Sequence, residues 1–289
     1  MRFAFVEAER ANHAVGALCR AVGLSRAGFY AWQGREPSAH ARADARLGLL
    51  VAASHARSRR TYGSPRVHAD LVAQGERTSR KRVARLMREQ DLAARRRKRF
   101  RVATVEENAQ PVPENVLDRA FEAERPNQRW VGDTTELGVP GGRFFLAVLV
   151  DLYSRMVVGW AVSAVNDRHL VMRALRGALE RRRPDDGLLH HTDQGSPYAS
   201  EDYQDLLRDH GLKSSMSRRG NCHDNAVAEA FFSTLKAELG ERFDSTGDAK
   251  DRLFDYIEVF YNRQRRHSTI GNVSPAMHEK LYAARPEAA

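Results

Sequence analysis

Cysteine is scarce in this sequence, and a long apolar run is absent from it. The 289 residues contain two cysteines, Cys19 and Cys222, which are too few for a disulfide framework and form no CxxC pair for zinc. No stretch approaches the roughly 20 consecutive apolar residues that span a bilayer. Glu7 and Glu9 lie where a signal peptide would be apolar. We therefore expect neither a membrane protein nor a disulfide-stabilised secreted domain.

Positive charge is concentrated in the first third of the chain. Residues 1–101 contain 23 basic and 8 acidic residues, a net charge of +15, whereas residues 102–289 contain 24 basic and 29 acidic residues, a net charge of −5. The overall charge of +10 therefore arises from the N-terminal part. Such an asymmetry is typical of a nucleic-acid-binding region joined to a domain of different character. A basic chain without a specific ligand is the alternative.

Residues 14–33 carry the pattern of a helix-turn-helix. Apolar residues recur at helical spacing, Gly23 provides a turn, and Ser25 is placed to cap a second helix. The second helix of such a motif lies in the major groove, so Ser25 and Arg26 would contact bases or phosphates. An ordinary helical hairpin is the alternative. The aromatic residues of the second helix are predicted to be core: Phe29, Tyr30 and Trp32.

A similar helical unit follows over residues 38–90. A helix over 38–57, with Leu47, Leu49 and Leu50 as its predicted core, precedes a helix that begins near Pro65. Thr78 or Ser79 can cap a third helix. Its polar surface supplies the candidate DNA contacts Lys81, Arg82 and Arg85. The run that follows is predicted to hold DNA phosphates through Arg95, Arg96, Arg97, Lys98 and Arg99.

Residues 102–128 are rich in proline and scattered acids, which indicates a linker with one short helix at 115–123. We therefore divide the chain into a helical DNA-binding region at 1–101, this linker, and a second domain at 129–289. The second domain is predicted to contain three antiparallel strands and then alternating helices and strands. That element order is typical of the α/β RNase H-like fold, although element order alone says little about function.

Three acidic residues are placed where they could perform chemistry. Asp133 lies within a buried strand, Asp193 at the end of another strand, and Glu229 on a helix. Carboxylates are hard oxygen ligands, which suit Mg²⁺ or Mn²⁺ better than zinc. Two such ions roughly 3.5–4 Å apart stabilise the attacking and leaving oxygens of a phosphoryl displacement. For each residue alone, a helix cap or a surface charge is the alternative.

The motifs around these residues resemble a known family, the OrfB transposases of the insertion sequence three family, whose core is similar to retroviral integrase. The resemblance covers nearly the whole chain, and Asp133, Asp193 and Glu229 match the family's catalytic acids in RWVGDTTEL, HHTDQGSPY and NAVAEAFFSTLKAEL. Lys236 lies two turns after Glu229 and matches a lysine that contacts the transposon end. Ala230 departs from the family's usual serine without touching the acidic triad.

The resemblance implies an activity and its partners. It implies a magnesium-dependent transposase of the DDE type, with two Mg²⁺ or Mn²⁺ ions held by the three acids, which binds terminal inverted repeats and catalyses strand cleavage and strand transfer on double-stranded DNA. It also implies a homo-oligomer on DNA in the bacterial cytoplasm, associated with the nucleoid. A first reading frame, OrfA, often precedes such a chain, so an oligomerisation module could lie outside these residues.

Two other functions remain open from the sequence. One is a DNA-binding regulator with an inactive core, and the other is an RNase H-like nuclease that cuts without joining. Two further polar groups also have ordinary explanations. His190 and His191 are predicted to pack beside a strand or orient substrate rather than bind metal. Asp224 is predicted to cap the helix that carries Glu229 while lying near DNA.

Overall fold

The computed structural model describes residues 1–95, 112–219 and 221–285. Most of the basic run predicted to hold phosphate, namely Arg96, Arg97, Lys98 and Arg99, lies outside the described residues. None of the helices within the described ranges is long and apolar enough to cross a membrane.

The first three helices form a small unit with its own core. They are α1 (Arg2–Glu9), α2 (Val15–Ala21) and α3 (Arg26–Gln33), and their buried side chains are Val6, Leu18, Cys19 and Phe29. The Ser25 hydroxyl caps α3 by accepting a hydrogen bond from the Gly28 amide at 3.0 Å. Tyr30 was predicted to be core, but it is 50% exposed on the outer face of α3.

The second helical unit contains α4 (Ala39–Arg57), α5 (Ser64–Ala73) and α6 (Arg80–Glu89). Ser79, and not Thr78, caps α6 by accepting a hydrogen bond from the Arg82 amide. Leu47 is buried as predicted, whereas Leu49 is 74% exposed. The reason is geometric, because residues two apart on a helix do not face the same side.

A five-stranded mixed sheet forms the centre of the second domain. Its strands are β1 (Arg129–Val139), β2 (Gly142–Asp151), β3 (Val157–Ser163), β4 (Leu189–Thr192) and β5 (Lys213–Met216), in the spatial order β3-β2-β1-β4-β5. β2 pairs antiparallel with both β1 and β3. β4 pairs parallel with β1, and β5 pairs parallel with β4. The continuous apolar sequence of β2 agrees with its interior position between β3 and β1, because both of its faces are covered.

Helices cover both faces of this sheet. One face packs on α7 (Arg168–Arg182), the short α8 (Ser196–Ala199) and α9 (Glu201–Asp209). The other packs on α10 (Ala226–Glu238), α11 (Thr246–Phe254) and the π-helical turn Asp255–Tyr261 that continues it. The last helix is α12 (Pro275–Ala283). This architecture confirms the predicted RNase H-like α/β fold with a helical N-terminal region.

The predicted helix at 115–123 is wrong. Residues 112–121 form no helix, and Asp118 and Arg119 adopt positive φ angles of 38° and 62°. The segment instead runs beside β5, where the Ser215 hydroxyl accepts hydrogen bonds from the amides of Val116 and Leu117. The Val116 amide also donates to the Glu114 carbonyl at 3.0 Å, which lies two residues away and not the four residues of an α-helix.

Candidate active site

The pairing of β1 with β4 brings the first two acids side by side. Val131 lies opposite His191 in this parallel pair, so the same register carried two residues further sets Asp133 beside Asp193, just past the end of β4. Alternate residues of a strand share a face. Asp133 therefore points to the same side as Val131, which is the side covered by α10. The two carboxyl groups thus belong to one face at the carboxyl end of β4.

Glu229 reaches this face from the first turn of α10. The helix is anchored by the buried side chains of Phe231, Phe232 and Leu235. At its start, the Asn225 amide nitrogen donates to the Gly132 carbonyl of β1 at 3.0 Å. That bond joins the beginning of α10 to the residue next to Asp133, so the local geometry directs Glu229 towards the two aspartates.

The electrostatics show that the three acids influence one another. The pKa of Asp133 is raised well above its usual range, first by burial and then by the negative charges of Asp193 and Glu229, while the charge of Lys236 opposes the shift. The pKa of Glu229 is also raised, first by burial and in part by Asp193, against the charge of His223. The three acids therefore concentrate negative charge in one shared pocket.

The carboxylate oxygens of this pocket are suitable ligands for a divalent metal, but the side chains do not form a closed coordination site. Across the described ranges, no three His, Cys, Asp or Glu side chains are grouped closely enough to hold a metal ion. Asp133 and Asp193 each accept a local backbone hydrogen bond, from Thr134 at 2.7 Å and from Gly195 at 3.0 Å. Metal binding therefore requires rotation of the carboxylate side chains, and a bound cation would offset the repulsion between them.

The histidines before Asp193 are packed into the protein as expected. His190 lies within hydrogen-bond distance of the Tyr203 hydroxyl at 2.7 Å, and His191 lies between the hydroxyls of Ser215 and Ser217. Burial lowers the pKa of His190 to about 3 and that of His191 to about 4. Both rings are therefore neutral at physiological pH, and their described contacts are those of core side chains.

Asp224 does not cap the helix that carries Glu229, and that prediction is wrong. The residue is buried, and its carboxylate accepts hydrogen bonds from the side chains of Asn115, Arg119 and Arg218. These partners lower the pKa of Asp224, with the Arg218 hydrogen bond as the largest cause. Asp224 thus ties the segment before β1 to the loop before α10. Two of the three partners lie more than 100 residues away, so no sequence pattern indicated them.

The structure distributes the candidate DNA contacts unevenly. Ser25, Arg26 and Lys81 are exposed at or near the starts of α3 and α6. Arg82 and Arg85 instead form ion pairs with Asp44 of α4, at 2.7 and 2.6 Å.

Of two further candidates, one contacts the second domain and the other lies within it. Arg95 donates to the Glu238 carbonyl at 2.8 Å, and Lys236 is close enough to Asp133 to affect its pKa. Sequence reasoning missed the pairing of Arg82 and Arg85 because a charge on another helix is not visible in helical periodicity.

Three domain models match the chain and agree with this architecture. An HTH-like domain model matches residues 41–100, and two integrase core domain models match residues 123–222 and 210–275. The fold and the matches together define a protein with an integrase core behind a helix-turn-helix-like region.

Relatives that match almost end to end narrow the class further. The transposase InsF for insertion sequence IS3A of Escherichia coli (strain K12) is 40% identical over 283 residues, which is 96% of this chain and 98% of that protein. The insertion element IS600 uncharacterized 31 kDa protein of Shigella sonnei is 41% identical over 267 residues, 92% of this chain and 98% of that protein. The chain belongs to the family of IS3 InsF transposases.

Solved structures also resemble the second domain. The HTLV-2 integrase catalytic core domain in complex with magnesium, in its trimeric form, covers 55% of this chain and 99% of its own, at 16% identity and a TM-score of 0.44.

Proposed function

We propose that this protein is a DDE transposase that binds the terminal inverted repeats of its element, cleaves a strand at each end and transfers that strand to a new phosphodiester. The observation that supports this most strongly is the convergence of Asp133, Asp193 and Glu229 on one face of the sheet. This face belongs to a chain that matches transposases over nearly its full length.

The chain's own residues would perform most of the reaction by positioning. β1 and β4 hold Asp133 and Asp193 on a rigid sheet, and α10 supplies Glu229 from the side. Lys236 lies near Asp133, where its charge would attract a DNA phosphate next to the acids. A phosphodiester held between the lysine and the carboxylates is aligned for in-line attack, and such alignment contributes much of the catalysis in this reaction class.

The three carboxylates would hold two divalent cations, Mg²⁺ or Mn²⁺, as their donor chemistry and their closeness to one another favour. Such ions activate the attacking oxygen and stabilise the leaving oxygen. Burial and the neighbouring acids raise the pKa values of Asp133 and Glu229, so protons would compete with the cations for these carboxylates as the pH falls.

The helical units would bind the DNA. The exposed starts of α3 and α6, with Ser25, Arg26 and Lys81, are the surfaces that a helix-turn-helix presents to a groove. Both ends of an element must meet, so we expect a homo-oligomer on paired ends, with a product of an upstream frame as a further partner. A protein acting on a bacterial chromosome works in the cytoplasm.

The test is cleavage and joining of a duplex that carries the terminal repeat sequence flanking the gene. Asp133→Asn, Asp193→Asn and Glu229→Gln should each abolish Mg²⁺-dependent cleavage and leave end binding intact. Glu136→Gln is the matched control, because Glu136 is an exposed acid on the same strand and pairs only with the surface Arg143 among the contacts described.

Each outcome has a distinct meaning. Normal cleavage by one of the three variants would remove that residue from the catalytic set. Cuts without joined products would favour a plain nuclease, and binding without cuts by the unmodified protein would favour a DNA-binding regulator.

A further inference from the structure

Two consecutive arginines connect the DNA-binding region to the catalytic helix. Arg265 and Arg266 follow the π-helical turn and lie in a segment without regular secondary structure. Their side chains reach different elements: Arg265 reaches the end of α10, and Arg266 reaches α5 of the second helical unit. We call this pair, together with its partners Glu238 and Asp70, the arginine clasp.

Arg265 holds the carboxyl end of the helix that carries Glu229 and Lys236. Its guanidinium is 3% exposed and its partner Glu238 is 8% exposed. Nε and Nη2 both donate to the Glu238 carboxylate, with the shortest contact at 2.7 Å, and the Tyr256 hydroxyl donates to the same carboxylate at 2.8 Å. A buried, fork-shaped ion pair of this kind fixes orientation as well as position.

Arg266, the next residue along the chain, binds the second helical unit. Its Nε and Nη2 donate to Oδ1 of Asp70 at 3.2 and 3.1 Å, and its backbone amide donates to the Tyr62 hydroxyl at 2.7 Å. The other oxygen of Asp70, Oδ2, accepts from Arg57 of α4 at 2.9 Å. One carboxylate therefore has one oxygen directed into its own unit and one directed across the interface.

The surrounding contacts make this interface continuous. Arg59 pairs with Asp255 at 2.8 Å and lies over the Phe260 ring at 4.6 Å. A single hydrophobic cluster also extends from the second helical unit to α10, α11 and the π-helical turn. The unit that carries the recognition helix α6 is thus packed against the catalytic domain in addition to being joined to it by the chain.

We propose that the arginine clasp sets the distance between the DNA sequence contacted by α6 and the phosphodiester that is cut. This inference rests on the proposed function. Arg265 and Arg266 are adjacent in the chain, so a shift of one moves the other. The position of α5, and with it α6, is therefore mechanically linked to α10. The two arginines act as positioning residues, since they reach the reacting atoms only through Glu238 and α10.

The primary test compares Arg266→Gln with Arg57→Gln. Both variants remove one arginine from Asp70, but only the first removes a contact that crosses the interface. End binding is measured by gel shift on the duplex with the terminal repeat, and the cut position is mapped at nucleotide resolution in Mg²⁺. For Arg266→Gln we expect unchanged end binding, a loss of roughly 10- to 100-fold in cleavage at the authentic position, and new cuts at neighbouring phosphodiesters. Arg57→Gln should cut at the authentic position.

A milder variant covers the case in which Arg266→Gln does not fold. Tyr62→Phe removes only the hydroxyl that accepts from the Arg266 amide, and it should produce the same spread of cut positions to a smaller extent. A cut position identical to that of the unmodified protein in the folded interface variants would overturn the proposal. So would an equal displacement by Arg57→Gln.

A measurement on the DNA-free protein separates this inference from the proposed function. Hydrogen exchange should become faster in both α5 and α10 of the Arg266 variant, or of Tyr62→Phe, and remain unchanged in α10 of Arg57→Gln. Unchanged exchange in α10 of the interface variant would refute the mechanical link, even if the unmodified protein cleaved normally. If the unmodified protein bound transposon ends without cutting them, the proposed function would be refuted. The hydrogen-exchange measurement would still test the arginine clasp, because it needs no cleavage.

Discussion

Replacement of Asp224 by asparagine should destabilise the second domain through one buried carboxylate. Asp224 is fully buried and accepts hydrogen bonds from Arg218 and Arg119, including two side-chain bonds from Arg218 at 2.9 and 3.0 Å. Asparagine keeps the shape of the side chain but presents an NH₂ group to these donors. The variant therefore loses charge-assisted bonds and gains a donor that faces other donors.

The expected cost follows from the exposure of the partners. Removing one member of a buried ion pair typically costs roughly 3–5 kcal/mol, because the remaining charge is left buried. Here the side chains of Arg119 and Arg218 are 47% and 52% exposed, so water can solvate both guanidinium groups after the substitution. We therefore expect a cost of about 2–3 kcal/mol, since hydrogen bonds to a charged group contribute about 1.5–3 kcal/mol. For a domain of this size that lowers Tm by roughly 5–10 °C.

Thermal unfolding followed by circular dichroism measures this effect. Asp118→Asn is the matched control, because Asp118 also pairs with Arg218 but is 72% exposed. It should change the free energy of unfolding by less than about 0.5 kcal/mol. Equal Tm shifts for the two variants, or no shift for Asp224→Asn, would refute the reasoning from burial.

The pH dependence supplies a second check on Asp224. Its folded-state pKa lies below the unfolded value, chiefly because of the Arg218 hydrogen bond. Its ionised form therefore contributes stability that is fully present above the unfolded pKa and is lost as pH falls through the folded pKa. The stability difference between the unmodified protein and Asp224→Asn should be largest near neutral pH and should shrink as the pH falls below about 4.

Three further outcomes are expected. Because burial and neighbouring acids raise the pKa of Asp133, Asp133→Asn should stabilise the metal-free protein at pH 8 by roughly 0.5–2 kcal/mol. Addition of Mg²⁺ should remove this gain in stability in a thermal melt. A Tm of metal-free Asp133→Asn below that of the metal-free unmodified protein would contradict the expectation. The lowered pKa values of His190 and His191, about 3 and about 4, mean that the unfolded chain binds protons first as pH falls below about 6.5. Stability measured in urea should then decrease by up to about 1.4 kcal/mol per pH unit for each histidine, and His191→Gln should remove about half of that slope. A methyl group on Gly159 would lie 2.4 Å from a carbonyl oxygen of α7, so Gly159→Ala should cost at least roughly 1–3 kcal/mol. Gly177→Ala on α7 meets no atom within 4 Å and should add roughly 0.5–1 kcal/mol, so a Tm shift of the same sign for both variants would count against the packing argument.

Elements with a strong local signal were predicted well. The Ser25 and Ser79 hydroxyls cap the helices that the sequence predicted them to cap. These signals are local, because a cap involves atoms three residues apart. Short segments without such a signal were predicted less well, and the linker at 112–121 is an example, since its amides bond to Ser215 almost 100 residues later.

The candidate site was likewise predicted only in part from the sequence. The residue types and motifs singled out Asp133, Asp193 and Glu229, and their catalytic role stays a prediction until the variants are measured. Only the register of β1 with β4 and the anchoring of α10 by Asn225 brought these acids to one face. The influence of each acid on its neighbours' pKa values is a consequence of that convergence.

Periodicity, caps and motifs were sufficient to predict the fold class, most helices of the N-terminal region and three acids as a candidate catalytic set. The tertiary structure alone decided that Asp44 pairs with Arg82 and Arg85, that Asp224 is a buried acceptor, and that Arg266 joins the helical unit to the catalytic domain. The physical reason is the separation along the chain over which each kind of interaction acts. Backbone preferences act over a few residues, whereas ion pairs and packing depend on side chains that folding brings together from distant parts of the chain.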